Sequence, residues 1–546
     1  MVKPAARPAK PVPKFTPNPE APVKKTIQKA PSELRRLYSA LVLSISREKN
    51  KALKERMNPA IDAFLNYLKS NSEEIPKSMI GSRGIQNCLK YGLPAHKQLV
   101  LLVIMKMNVV KLIGSKYGLF IFQKIFKFCR SVPQFGVLQS FFEENIQAIL
   151  KAKDGVLAIS AYVGSLAPGA QNHYLFRTLP SLRSSLPEFF IQEFIQEKLE
   201  EKKYLVSPVT HGLLLDHFDK IGERKADLLA NLLNFAPTIL RKKTTLQPLL
   251  ALLAKLYVSL PWESQKEMLK GVFKERFLEF YRREPAVIGI LFMLLSRVSN
   301  AKVFDMTILP VLTGHFAEIA GDHLLVKIFI YLLTEIRFFS QDAAFAGGKE
   351  LFAHLNLPAI FQTENFERNR AHLAAGVFSG ERVAEVLKLD FITQKSLENS
   401  TFSIFFGSLI QHLISQETDS ELVESFLVQF FDQLKTETTS LDGPGVDKRF
   451  MLSPIGHRLA KRVIQCLKGA SEPHRVLLER EIARFLKTAQ KDLKGLVKTK
   501  GVFLLIAIVE NSEHGEQLKI ALRQSKVFDG AEKLPGLEIL KDLAKN

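Results

Sequence analysis

The chain has 546 residues, 46% of them apolar and 24% charged, enough apolar material for a sizeable core, which excludes a wholly disordered chain. Its 76 Lys and Arg against 55 Asp and Glu leave a formal charge of +21, which makes a polyanion the first expected partner. Three scattered cysteines, Cys88, Cys129 and Cys466, exclude a disulfide framework or a cysteine zinc site and fit a reducing compartment.

Residues 1–31 contain eight prolines, seven Lys or Arg and a single acid, Glu20. Proline at that density prevents a helix and little there can be buried, so this segment reads as a disordered basic arm. The first 150 residues hold +16 of the +21. From residue 75 to 142 there is no Asp or Glu, while ten cations occur: Lys77, Arg83, Lys90, Lys97, Lys106, Lys111, Lys116, Lys124, Lys127 and Arg130. Exposed surfaces normally mix both signs. A one-sign stretch of this length suits phosphates, which bind with counterion release. The alternative reading is a solvated face with no partner.

Helical periodicity begins at Ile61, Phe64, Leu65 and Leu68 and returns at Leu246, Leu249, Leu250 and Leu253. Prolines 94, 133, 168, 180, 187 and 261 punctuate the pattern into short helices. Strand signals are sparse, so the expected class is all-α, and a long chain of short helices implies a solenoid. Gly81, Gly118 and Gly155 each open an apolar helix and are spaced 37 and 37 residues apart. Residues 166–203 lose that register. Gly347-Gly348-Lys349 reads as a turn rather than a phosphate loop, and the run 442–447 reads as a surface loop. Near the end, Lys487, Lys491, Lys494 and Lys498 are spaced to share one helix face. No apolar run reaches the roughly 18–20 residues of a membrane span, and the start of the chain lacks the apolar core of a secretory signal.

Several segments carry a family resemblance. Ser82-Arg83-Gly84-Ile85-Gln86 resembles the five-residue base-reading motif of pumilio (Puf) repeats, and Lys116-Tyr117-Gly118 resembles the run-in to the next repeat. His211-Gly212-Leu213-Leu214-Leu215-Asp216-His217-Phe218, Ser453-Pro454-Ile455-Gly456-His457-Arg458-Leu459 and Lys498-Thr499-Lys500-Gly501 resemble, in order, later segments of the Penguin/Puf-A branch of that family. The resemblance implies a curved or L-shaped solenoid of about eleven three-helix repeats. The organisation expected is an arm over 1–31, N-terminal and middle repeats over 32–340, and C-terminal repeats over 341–546.

In Puf repeats two side chains of one helix meet a base edge and a third stacks on the base. The resemblance would place Ser82 and Gln86 at an edge and Arg83 on a base. The corresponding positions are Leu119, Phe120 and Gln123 in the second unit, and Val156, Leu157 and Ser160 in the third. Leu119 and Val156 cannot hydrogen-bond a base, so a multi-base code is not expected. The candidate RNA-binding residues are Ser82, Arg83, Gln86, Lys90, Lys116, Phe120, Gln123, Lys124 and Lys127. Lys90 and Lys127 are expected nearer the binding surface than Lys106. No Walker, HExxH or GxSxG pattern occurs, and no catalytic residue, metal or cofactor is expected. Histidines 211, 217, 323 and 457 read as structural, and Trp262, after Pro261, as the seat of a helix start.

Residue chemistry alone leads to a basic α-solenoid that binds polyanions. The resemblance implies a non-catalytic RNA-binding scaffold in the nucleus and nucleolus. It would act in rRNA processing and large ribosomal subunit biogenesis. Its partners would be pre-rRNA, ribosomal and assembly proteins, with single- or double-stranded DNA as a further ligand. A monomer without membrane contact is expected. Two other readings stay open: a sequence-specific pumilio-type repressor of mRNA translation, and a HEAT-like protein-interaction scaffold.

Overall fold

The computed structural model describes residues 31–47, 58–73, 78–181, 188–197, 201–242, 244–334, 348–379, 381–388, 391–392, 395, 399–415, 420–438, 456–525, 527–528 and 536–545. The basic arm (save Pro31), the 442–447 loop and Ser453–Ile455 of the late motif lie outside them. Every regular element among the described residues is helical, and none of these helices is long and apolar enough to cross a membrane. The chain divides into two compact units, Met1–Tyr162 and Val163–Asn546, so the expected boundary at 340 falls inside the second.

The first unit runs α1 (Ser32–Arg47), α2 (Asn58–Ser70), α3 (Met79–Tyr91), α4 (Pro94–Met105), α5 (Val109–Ile113), α6 (Gly118–Phe128), α7 (Phe135–Glu144), α8 (Ile146–Lys151) and α9 (Gly155–Val163). Ser78 caps α3 by accepting from the Gly81 N–H at 3.0 Å, and Asn108 caps α5 through Lys111 N–H at 2.9 Å. Ile61, Phe64, Leu65 and Leu68 bury the inner face of α2, as their spacing predicts. The repeat glycines have a steric cause. A Cβ on Gly118 would lie 1.7 Å from the Leu112 carbonyl oxygen, and one on Gly155 the same 1.7 Å from that of Ile149. In both units the helix start presses against the end of the helix before, and only glycine fits.

The core of this unit is aromatic. Phe126 meets Phe142 edge-on at 4.9 Å and Tyr162 at 5.6 Å, and Phe122 lies 5.7 Å from Phe142. The Tyr162 hydroxyl donates to Glu143, the first acid after the acid-free stretch. Asp62, close before that stretch, accepts from His96 Nε2 at 3.0 Å, while His96 Nδ1 accepts the Leu93 N–H at 3.1 Å. That backbone contact fixes the imidazole tautomer.

The second unit includes α10 (Pro168–His173), α11 (Pro208–Asp216), α12 (Lys225–Leu240), α13 (Gln247–Ser259), α14 (Trp262–Met268), α15 (Ile288–Arg297), α16 (Val326–Leu333), α17 (Glu364–Val377), α18 (Ser400–Ser415), α19 (Ser420–Thr438), α20 (Gly456–Gln465), α21 (Glu472–Ala489), α22 (Leu493–Val497) and α23 (Val502–Asn511). After α10 the backbone widens into a π turn, Tyr174–Thr178. A π turn adds a residue to the helical count. The turn lies within the 166–203 stretch where the 37-residue register is lost.

Polar side chains staple successive helices by capturing free carbonyls at their ends. Buried Asn369 on α17 donates to Leu295 O at 2.8 Å and Val298 O at 2.7 Å, at the end of α15. Arg370 donates to Leu332 O and Thr334 O at 3.1 and 2.9 Å, at the end of α16. Arg283 does the same at Lys242 O and Thr244 O, 2.7 and 2.9 Å, just beyond α12.

Candidate nucleic-acid interface

The acid-free stretch folds into α3 to α6 and most of α7. Beyond Met79 at its start, the exposed residues of α3 are Arg83 and Lys90, with Gln86 and Asn87 half-buried between them. On α6 the exposed residues are Phe120, Gln123 and Lys127, with Lys124 half-buried. These are the same positions 37 residues on, and α3 packs directly beside α6. The result is one stripe across two stacked helices. On α9 the equivalent Leu157, Ser160 and Ala161 are half-buried and carry no charge, so the charged stripe ends there.

Arg83, Lys90, Lys116, Lys124 and Lys127 form no ion pair among the described residues. Aromatic rings hold the ammonium groups instead. Lys90 Nζ lies 4.7 Å from the Tyr91 ring centre, and Lys127 Nζ 5.5 Å from that of Phe128. Tyr91 and Phe128 are again 37 residues apart. Lys116 sits 5.3 Å over Tyr117 and Lys124 5.8 Å over Phe128. A positive charge fixed over a ring, without a carboxylate, is free to meet a phosphate. The exposed Phe120, 49% accessible, offers a face on which a base can stack. Lys106 is exposed too, but at the end of α4 and off this stripe.

Ser82 is a correction. Expected at a base edge, it is 1% exposed. Its hydroxyl donates to Tyr117 O at 3.2 Å and accepts from Gln86 Nε2 at 3.1 Å. The equivalent Leu119 and Val156 are buried as well, at 8% and 3%. This position faces the core in all three units. The exposed face starts one residue later, at Arg83, Phe120 and Leu157. The apolar character of Leu119 and Val156 was the available signal for this. The ring under each stripe lysine went unread.

The late lysines also differ from expectation. Lys487, Lys491, Lys494 and Lys498 are all exposed, but they do not share one helix. The axis breaks into a tighter turn at Gln490–Asp492 between α21 and α22. His457 stacks on Phe503 at 5.2 Å and 27°. His211 is buried with Nε2 2.7 Å from Leu205 O, and burial lowers its pKa to about 4, so it is a neutral structural group. Glu479, Glu513 and His514 bring ligand-type atoms within 4.8 Å of one another. Glu479, however, already accepts from the Ser512 hydroxyl and, at 3.1 Å, from the Glu513 N–H, which makes it the cap of a loop. Burial pushes the thiol pKa values up to about 12 for Cys88 and Cys466 and about 11 for Cys129, which suits packing rather than chemistry.

No protein-family model matches the sequence, and no curated protein matches it. Among solved structures, the crystal structure of human Puf-A superposes with a TM-score of 0.62 at 13% identity, over 93% of this chain and 98% of that one. Human Puf-A in complex with DNA superposes with the same TM-score at 14% identity, over 94% of this chain and all of that one. The chain thus has the all-α pumilio-repeat fold of human Puf-A, the branch that its own motifs resemble.

Proposed function

We propose that this protein is a non-catalytic scaffold that binds RNA through the α3–α6 stripe, largely without reading sequence. The observation that carries this reading is the repetition of Arg83, Lys90, Phe120 and Lys127 on the exposed faces of two adjacent helices, with no carboxylate paired to them. Phosphate contacts position a strand but carry no base information. At the three equivalent positions Leu119 and Val156 are apolar, and Ser82, the one polar side chain, is buried, which supports a surface that does not read base edges there. The similar human Puf-A was crystallised with DNA, which supports a polyanion as the ligand of this fold. Within that reading, the protein acts in the nucleolus on pre-rRNA during large-subunit assembly, as a monomer beside ribosomal and assembly proteins. This part follows from the family resemblance.

The test is a titration of homopolymer and scrambled RNAs against salt with wild type and the Arg83→Glu, Lys90→Glu, Lys127→Glu triple variant. Each lost contact should lower the salt slope by about 0.7 on a single strand, so the triple variant should lose about 2. Scrambled sequences should bind within about tenfold of one another, roughly 1.4 kcal/mol. Selection of a single preferred motif would instead favour the mRNA-repressor reading. Unchanged affinity in the folded variant would remove the stripe as the site. A tagged chain that stays cytoplasmic would remove the ribosome-assembly reading.

A further inference from the structure

The second unit carries a cleft that plays no part in this surface. It measures about 560 Å³ and lies between the end of α13, the start of α14 and the extended residues after α15. That is within the range of sites that bury a drug-sized group, the bulk of a few side chains. Buried Tyr257 and Val298 form apolar floor, and Val258 and Trp262 expose 52% and 45% of their surface beside it. Trp262 is the sole tryptophan of the chain. Pro261 and Trp262 begin α14, so the indole is held at the first position of a helix rather than on a loose loop.

The polar lining is specific. Arg297, at the end of α15, is exposed and forms no ion pair among the described residues, and it is the only charged group lining the cleft. Gln265 Nε2 donates to Leu260 O at 2.9 Å, which fixes the amide and leaves its Oε1 as an acceptor. Asn300 Oδ1 accepts the Lys302 N–H at 3.0 Å, which leaves its Nδ2 as a donor. The cleft therefore presents an aromatic and aliphatic wall, an amide acceptor, an amide donor, the Ser299 hydroxyl, which can do either, and one cation.

We infer that this cleft docks an extended peptide segment of a partner protein, with an apolar side chain against Trp262 and Val258 and an Asp or Glu on Arg297. The acceptor and donor match the N–H and C=O of a peptide backbone. A Trp–Tyr–Arg cluster around an apolar centre is the composition of energetic centres in protein interfaces. A nucleic-acid strand is the less suitable occupant. Strands are held by several phosphate contacts, and this lining supplies one cation where the α3–α6 stripe supplies a row.

The experiment selects random twelve-residue displayed peptides on the full-length protein and then titrates the enriched ones, synthesised, while following the emission of Trp262. Enriched peptides should pair an apolar residue with a nearby Asp or Glu and should shift that emission. Arg297→Glu should weaken them at least tenfold, and peptides with Lys in place of the acid should recover the loss. Trp262→Ala should weaken them similarly, read by peptide fluorescence anisotropy. Lys90→Glu with Lys127→Glu should leave them unchanged, which separates this cleft from the RNA surface. The inference is overturned if no peptide is enriched, or if the enriched peptides ignore Arg297→Glu. It is equally overturned if oligouridylate shifts Trp262 emission and no peptide does.

Discussion

The Ser82 hydroxyl donates to the Tyr117 carbonyl at 3.2 Å, joining α3 to the residue that leads into the next repeat. Ser82 is thus a joint between repeats and not a contact with ligand. Ser82→Ala should cost about 1 kcal/mol, the net worth of one hydrogen bond. RNA affinity should stay within about twofold of wild type, under 0.5 kcal/mol. Urea unfolding and an RNA titration of the same variant check both.

Phe120 distinguishes strand from duplex. A ring 49% exposed on the stripe can stack on an unpaired base but not on one enclosed in a helix. Phe120→Ala should lower single-strand affinity by about 1–3 kcal/mol. Affinity for a blunt duplex should be unaffected. Parallel anisotropy titrations at one salt concentration check this.

His211 makes stability depend on pH. Burial lowers its folded pKa to about 4, from an ordinary value of 6.5. Between those values the unfolded chain binds more protons than the folded one, so stability falls as pH falls through this window and is fully present above it. His354 and His412, also lowered by burial, act in the same direction. In His211→Gln, denaturant midpoints measured from pH 4 to 7 should show a shallower slope than wild type.

Asn369 supplies two hydrogen bonds to buried carbonyls. Asn369→Leu leaves Leu295 O and Val298 O without that donor, at a cost of about 2–4 kcal/mol. The loss should appear as a lower unfolding midpoint with unchanged RNA binding, because no stripe residue is touched.

The three thiols should be inert in the native state. All three are buried, with pKa values raised to about 11 or 12. Iodoacetamide at pH 8 should modify none of them until urea unfolds the chain, as mass spectrometry would show.

Much of this was legible from residue spacing. The glycines at 118 and 155 marked the repeat because a close backbone contact leaves a one-residue signature, whereas Gly81 lies two residues inside α3. The charge stripe was legible because composition survives folding. The exact face was not. A helix turns 100° per residue, so reading one position early moved Ser82 from the core to the surface. The π turn at Tyr174–Thr178 was invisible because its residues are ordinary helix formers. The Trp262 cleft was unread because its walls come from three elements separated in sequence. The division between the two compact units at 162 and 163 lies inside α9, where no loop signal in the sequence marks it.

The carbonyl staples of Asn369, Arg370 and Arg283 have a consequence for how such a chain can change. Each acceptor is main chain, present whatever side chain occupies that residue. A joint of this kind asks for one donor of adequate reach and nothing specific from its neighbour. The apolar faces between the staples ask only for volume. Substitutions can therefore accumulate across most of the array without unfastening it. A shared architecture at 13% identity is what fasteners of this type permit.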